Sequence, residues 1–326
     1  MEPHHFTFAS SFSCIKHTIP PSEELIFEVA EAFFDNMKRV NAIGVLPMFL
    51  VALAATNESL CANARRNIGI GFDDPLYGLN SSEMPPEIGT RLDAEEDRIR
   101  LSILERSKKG TMVGPVKLGT MQLASVITDS HIIEGLDAIL SAMIVGTWTA
   151  VETLVSDLWR TALNVHPVKL AALAGKWHKP PKDTNIEDEA EPSDKRTIRL
   201  EELGKRGYDL SKEMGTVLRG RYKWGVLESV RNAYGEAFSS KFDGIITAIE
   251  HPSLDAMSAT RNVLVHKAGV VDAEFLKKNR AWPGFANAEI GKSLQLNGIV
   301  VRDLIIPVHE NAINLTNAVG AWLRNN

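Results

Sequence analysis

Between Asp129 and Asn164 the apolar residues fall at helical spacing. Ile132, Ile133, Leu136, Ile139, Leu140, Met143, Ile144, Trp148, Val151, Leu154, Val155, Leu158 and Trp159 keep one period for roughly nine turns. Nothing but a long helix satisfies that pattern, and so wide an apolar face must be covered by other helices. Asp129 or Ser130 supplies an N-cap, and Pro167 lies just beyond the end. Composition agrees with a packed globular chain: of 326 residues, 44% are hydrophobic and 24% charged.

Other segments repeat the helical period. Leu25, Val29, Phe33, Met37 and Val40 mark a helix over residues 23–40. The window from Ala42 to Ala55 is almost wholly apolar and contains Pro47; it continues helically to about Ala64. Fourteen such residues fall short of the about 20 that span a bilayer, so this window is expected to be a buried helix. Residues 73–90 hold Pro75, Pro85 and Pro86 and are expected to form a loop, and 91–106 a charged surface helix. Residues 107–120 are expected to be a Gly- and Lys-containing connection.

The stretch 176–199 turns acidic and proline-bearing and reads as a long exposed loop. Helical spacing returns at Leu200, Leu203, Leu210, Met214 and Val217, and again from Leu227 through Ile249. Ser253 is expected to cap a helix from Leu254 to Lys267, closed by Gly269. Asn297-Gly298 stands between short apolar segments in 293–301 and predicts a β-hairpin. A last helix is expected over 308–324. The predicted fold is mostly α with one small C-terminal β-hairpin. Its parts are a helical N-terminal region (1–125), a helical domain (126–282), and a hairpin and helix packed on it (283–326).

Charge and motif content exclude several functions. A net charge of −5 gives no global basic signature for nucleic acid. There is no Walker loop, no His-Glu-x-x-His, no Gly-x-Ser-x-Gly and no Cys-x-x-Cys, and the nine histidines are scattered. No metal or cofactor is expected. Cys14 and Cys61 match no metal spacing and suggest a reducing compartment. Met1–Ser13 lacks the pattern of a secretory signal, so a soluble cytoplasmic protein without membrane attachment is expected.

Three arginines precede a histidine at four to six intervening residues: Arg160 and His166, Arg261 and His266, Arg302 and His309. Spacing alone is close to chance. Pro307 argues against one helix holding the third pair. The second has context: Arg261 shares a stripe with Leu254, Met257, Leu264 and Val265, and Asn262 follows it. On the long helix, Glu152 shares a stripe with Trp148, Val155 and Trp159. A charge on each of two apolar stripes predicts that Glu152 and Arg261 face each other.

The stretch Leu254–Asp272, with Arg261-Asn262-Val263-Leu264-Val265-His266 at its centre, resembles the last core helix of the HEPN superfamily. Gly146–Trp159 looks like an early core helix of the same superfamily, whose inner-face acid is Glu152 here. The resemblance covers about residues 130–280 and implies an antiparallel helical bundle. It also implies metal-independent RNA cleavage by attack of the 2′-hydroxyl on the adjacent phosphate. In that reading His266 moves the proton. Arg261 stabilises the charged phosphorane, Asn262 orients phosphate or His266, and Glu152 positions Arg261 or tunes His266.

Such nucleases pair two domains, so a homodimer is implied. Prokaryotic stress or phage defence, with an antitoxin or regulatory partner, is the implied setting. Ala268 stands where some members carry a Tyr that a partner transferase modifies, so that form of regulation is not expected. Two other readings remain open. One is a non-catalytic HEPN module for dimerisation or ligand binding. The other gives the leading role to residues 1–125.

Overall fold

The computed structural model describes residues 24–108, 130–173, 198, 200–238, 243–279 and 282–326. The order of helices is α1 (Glu24–Asn67), α2 (Pro86–Lys108), α3 (Ser130–Val165), α4 (Pro167–Leu170), α5 (Leu200–Gly204) and α6 (Met214–Arg219). Then follow α7 (Leu227–Phe238), α8 (Asp243–Ile249), α9 (Pro252–His266), α10 (Ala273–Asn279) and α11 (Gly298–Asn325). Short 3-10 turns lie at Ser81–Glu83 and Pro283–Phe285. The described chain is all-α and contains no strand, only an isolated antiparallel bridge between Val270 and Ser293.

The described residues divide into two compact units. Residues 42–108 and 130–136 belong to the first; residues 24–41 and those from 137 onward belong to the second. The expected boundary at 125/126 falls outside the described residues. So does the acidic loop at 176–199, apart from Ile198.

The first unit has a small core of Ala64, Ile70, Met84 and Leu92, edged by Leu76, Tyr77, Leu79 and Ile88. The turn after α1 is tied back by Arg65, which donates to the Leu79 carbonyl at 3.0 Å and lies over the Tyr77 ring. Asn67 Nδ2 donates to Glu95 on α2 at 2.7 Å. That carboxylate also receives Arg98 Nη2 at 2.6 Å.

The apolar window 42–55 is helical as expected, and Pro47 lies within α1. It is not a buried helix: Ile43, Leu46, Phe49, Leu50 and Leu53 are exposed. Among the described side chains of the window, only the small residues Gly44 and Ala52 lie fully inside. An apolar sequence carries a demand for burial but does not name the face that meets it. Two described helices, α1 and α3, are long and apolar enough to cross a membrane by length and composition. Burial separates them, since half of the α3 window lies inside and less than a fifth of the α1 window does.

The second unit is built around α3. Met143, Ile144, Leu154, Leu158, Trp159 and Leu163 are fully buried along it. Trp159 donates its indole N–H to the Ala233 carbonyl at 2.9 Å, and Tyr234 donates its hydroxyl to the Val155 carbonyl at 2.7 Å. These bonds fix α7 against α3 and satisfy two polar tips that burial would otherwise strand. Gly215 packs on the Arg160 carbonyl so closely that a β-carbon would overlap it. Asn164 Oδ1 accepts the Gly215 and Thr216 amides at 2.8 and 3.2 Å, capping α6 from outside. The first part of α1 joins the same unit through Phe33 and Phe34, whose rings meet the buried His309 of α11.

Two C-terminal expectations change. The Asn297-Gly298 pair does not turn a hairpin. Asn297 is the N-cap of α11, and its side chain accepts the Val300 amide at 2.9 Å. Asn favours a cap as strongly as a tight turn, and the amphipathic run that follows makes the helix the better use of it. Helix α11 therefore begins ten residues before the expected 308, and Pro307 sits inside it. Proline removes one backbone hydrogen bond, and the burial of Leu304, Ile305 and Val308 around it outweighs that loss.

Candidate functional site at the end of helix α9

Helix α9 starts at Pro252, not at Leu254. His251 occupies the N-cap, its Nδ1 accepting the Ser253 amide at 3.3 Å, and Pro252 takes the first helical position. Proline is pre-set for that position, since it has no amide to leave unpaired. The expected cap Ser253 is instead buried in the first turn, with its hydroxyl 2.8 Å from His251 Nδ1.

One face of α9 is core: Leu254, Met257, Thr260 and Val263 are buried. A bidentate ion pair ties α9 to α7. Arg231 Nη1 and Nη2 reach the two Asp255 oxygens at 3.0 and 2.7 Å, and Arg231 Nε donates to the Ile249 carbonyl at 3.1 Å. Three donors of one guanidinium thus close the α7–α8–α9 corner, and the fork geometry that matches a carboxylate makes arginine suited to it. The sequence did not single out this pair. Nothing in the neighbourhood of Arg231 marks it, and Asp255 lies 24 positions away.

At the other end of α9, Arg261, Asn262 and His266 come together. Arg261 Nη1 donates to Asn262 Oδ1 at 3.1 Å and lies 3.1 Å from His266 Nε2. For Arg261 to donate to that nitrogen, Nε2 must be the lone-pair nitrogen of the ring. Arg261 is half-buried, with its Nε enclosed and without a partner, whereas Asn262 and His266 are exposed. The guanidinium is thus enclosed at Nε, and its Nη1 is held by Asn262 and His266 at the surface. His266 is the last residue of the helix.

The chain leaves through Lys267, Ala268 and Gly269, the last two at φ 48° and 78°. The Gly269 amide returns to the Val263 carbonyl at 3.0 Å. A left-handed φ suits glycine at Gly269 and costs an alanine about 1 kcal/mol at Ala268. Segment 291–294 clamps this exit: Leu294 N–H donates to the Gly269 carbonyl at 2.8 Å, and Val271 N–H to the Lys292 carbonyl at 2.9 Å. Part of the segment expected to form a hairpin arm therefore secures the turn behind His266.

Glu152 is placed elsewhere. It is half-buried on α3 and lies against the turn before α7, where a β-carbon on Gly225 would stand 3.1 Å from its Oε1. That oxygen is enclosed without a hydrogen bond. Among the described residues no ion pair joins Glu152 to Arg261, so the expected facing pair is not formed within the chain.

The other two Arg–His spacings are not gathered into a site. Arg160 pairs with Asp157 at 3.4 Å, while His166 packs edge-on against Trp322. Arg302 pairs with Asp303 at 2.7 Å, while His309 is buried against Phe33. No cluster of His, Cys, Asp or Glu able to hold a metal occurs among the described residues. Comparison of the chain with protein-family models, with curated proteins and with solved structures finds no match in any of the three.

Proposed function

We propose that the chain is a HEPN-type helical protein that cleaves RNA without a metal, with Arg261, Asn262 and His266 as its reacting set. The observation that carries this reading is the single guanidinium nitrogen 3.1 Å from both Asn262 Oδ1 and His266 Nε2 at an open helix end. RNA supplies its own nucleophile. Cleavage then needs a group that takes the 2′-hydroxyl proton and a cation for the charge that grows on the phosphate oxygens.

His266 takes the proton at Nε2 when Arg261 swings from that nitrogen to the phosphate. The new O2′–P bond forms as the P–O5′ bond breaks, leaving a cyclic phosphate, and the departing 5′-oxygen takes its proton from the protonated imidazole of the partner's His266, which faces it across the two-copy cleft. Arg261 holds the phosphorane through two parallel N–H groups. Asn262, adjacent on the same surface, keeps the guanidinium aimed outward. Among the described residues Glu152 makes no hydrogen bond or ion pair with these side chains, and in this reading it acts through the turn at Gly225.

One chain carries one such set, so the reading includes a homodimer that brings two α9 ends to one cleft. It also includes the implied setting of stress or phage defence with a controlling antitoxin. The second reading is a non-catalytic module. It is favoured by the way Arg261 commits its hydrogen bonds to its own helix, which would serve equally as a clasp at the helix C-terminus.

RNA cleavage in the presence of EDTA separates the two. His266→Ala and Arg261→Ala are expected to lower the cleavage rate at least 100-fold while circular dichroism stays that of the parent. Cleavage that persists in both variants, or that needs added divalent metal, removes the proposed chemistry.

A further inference from the structure

A guanidinium has five N–H donors in a fixed fork, one at Nε and two on each terminal nitrogen. At the end of α9 the two on Nη1 of Arg261 are both in use. Asn262 Oδ1 and His266 Nε2 each lie 3.1 Å from that nitrogen. The donor at Nε is enclosed without a partner. A guanidinium grips an oxyanion through two parallel N–H groups on one edge of the fork. The edge of Nε and Nη2 is closed at Nε. The edge of Nη1 and Nη2 needs a hydrogen that Asn262 or His266 already holds.

The same contact covers His266. A neutral imidazole has one lone pair, and here it lies on Nε2, facing Arg261. That is the lone pair that takes the 2′-hydroxyl proton in the reaction proposed above. As the helix end stands, the cation cannot grip a phosphate with two bonds, and the base nitrogen is covered. Breaking the one contact at 3.1 Å frees both at once.

We infer that the Arg261–His266 contact is an autoinhibitory latch, which an oxyanion with two acceptor oxygens opens by drawing Nη1 off Nε2. Opening turns one side chain. The backbone stays, because Lys267 and Gly269 both donate their amides to the Val263 carbonyl, at 3.1 and 3.0 Å, and Val270 donates to the Lys267 carbonyl at 2.9 Å. Asn262 and His266 are exposed, so the oxyanion arrives from solvent. It takes the freed Nη1 hydrogen together with one on Nη2. A halide offers no pair of oxygens to match the fork and leaves the latch shut. Control of a base rests on the nuclease reading; the competition for Nη1 does not.

The test uses the full chain. Diethyl pyrocarbonate acylates an imidazole nitrogen only while its lone pair is free, and peptide mass spectrometry reads the rate at each histidine. Exposed His131 is the internal reference. At neutral pH, His266 of Arg261→Ala is expected to react about fivefold faster, relative to His131, than His266 of the parent, the factor that one hydrogen bond carries. Inorganic phosphate, compared with chloride at equal ionic strength, is expected to raise the parent rate toward that of the variant and to leave the variant unchanged. Circular dichroism checks that the variant is folded; if it is not, the phosphate arm on the parent decides alone. Equal rates in the parent and a folded variant overturn the latch, and so does a parent rate that phosphate leaves alone or lowers. RNA cleavage in EDTA is scored separately. The expected rates without cleavage remove the nuclease reading and keep the competition for Nη1, whereas cleavage without those rates removes only the latch.

Discussion

Two arginines on neighbouring helices show how little residue type says about role. Arg231 and Arg261 each precede an asparagine inside a helix. Arg231 commits three donors to Asp255 and Ile249, whereas Arg261 has its base enclosed and its tip at the surface. The first joins three helices, and the second bonds only within its own, to Asn262 and His266. Arg231→Ala would strand Asp255 and the Ile249 carbonyl in a partly enclosed corner and is expected to cost about 2–3 kcal/mol. In a domain of this size that lowers the thermal midpoint by roughly 5–10 °C. Calorimetry of Arg231→Ala, Asp255→Ala and the double variant measures it, and near-additive losses would show that the pair is not coupled. The motif Arg261–His266 is picked from three such spacings by Asn262, the glycine that ends the helix and the acid Glu152 on a second apolar stripe. The contact between its members is not legible there, because it depends on rotamers at the end of a helix.

At the scale of elements, periodicity located helices well and their ends less well. Helix α3 spans Ser130–Val165 against an expected Asp129–Asn164, since 36 residues of unbroken period leave little choice. Helix ends turn on a single cap, and there local signals compete. His251 with Pro252 prevailed over Ser253, and Asn297 capped a helix where a hairpin turn was expected. The cap gives a direct check. Asn297→Ala removes the acceptor of the Val300 amide and is expected to cost about 1 kcal/mol, while Asn297→Asp keeps the acceptor and most of the stability. Equal losses in chemical denaturation of the two variants would mean that the cap bond contributes nothing. Helix α1 shows the opposite limit: its period and apolar content were legible, but its exposure was not, because a helix carries no record of which face finds a neighbour.

For the whole molecule, the two units depend on different forces. The second has a broad core along α3, whereas the first closes a small core with polar ties between α1 and α2. Those ties make it sensitive to acid. Arg98, and then Asn67, hold the Glu95 carboxyl down from 4.5 to about 2. A carboxylate held below its unfolded value stabilises above that value and loses the contribution as pH falls through the folded one. The contact of Glu95 with Arg98 and Asn67 is therefore expected to weaken between about pH 4.5 and 2, read as loss of amide protection around α2, each rate taken relative to the intrinsic exchange rate at that pH. Glu95→Gln, which has no proton to gain, removes that pH-dependent part; the same acid response in both proteins would assign it to other groups.

The amino-acid sequence by itself determined that this chain is mostly helical, where its longest unbroken apolar period runs, and that one helix closes between His266 and Gly269. Those are consequences of period, capping and short-range spacing, which act within a few turns of one chain. Only the tertiary structure decided that Arg231 meets Asp255, that Glu152 lies against Gly225 and not Arg261, and that Ile43, Leu46, Leu50 and Leu53 of α1 are exposed. Each of these depends on the angle at which one helix crosses another. That angle is set by the sum of many small packing contacts along both, so no single residue in either announces it.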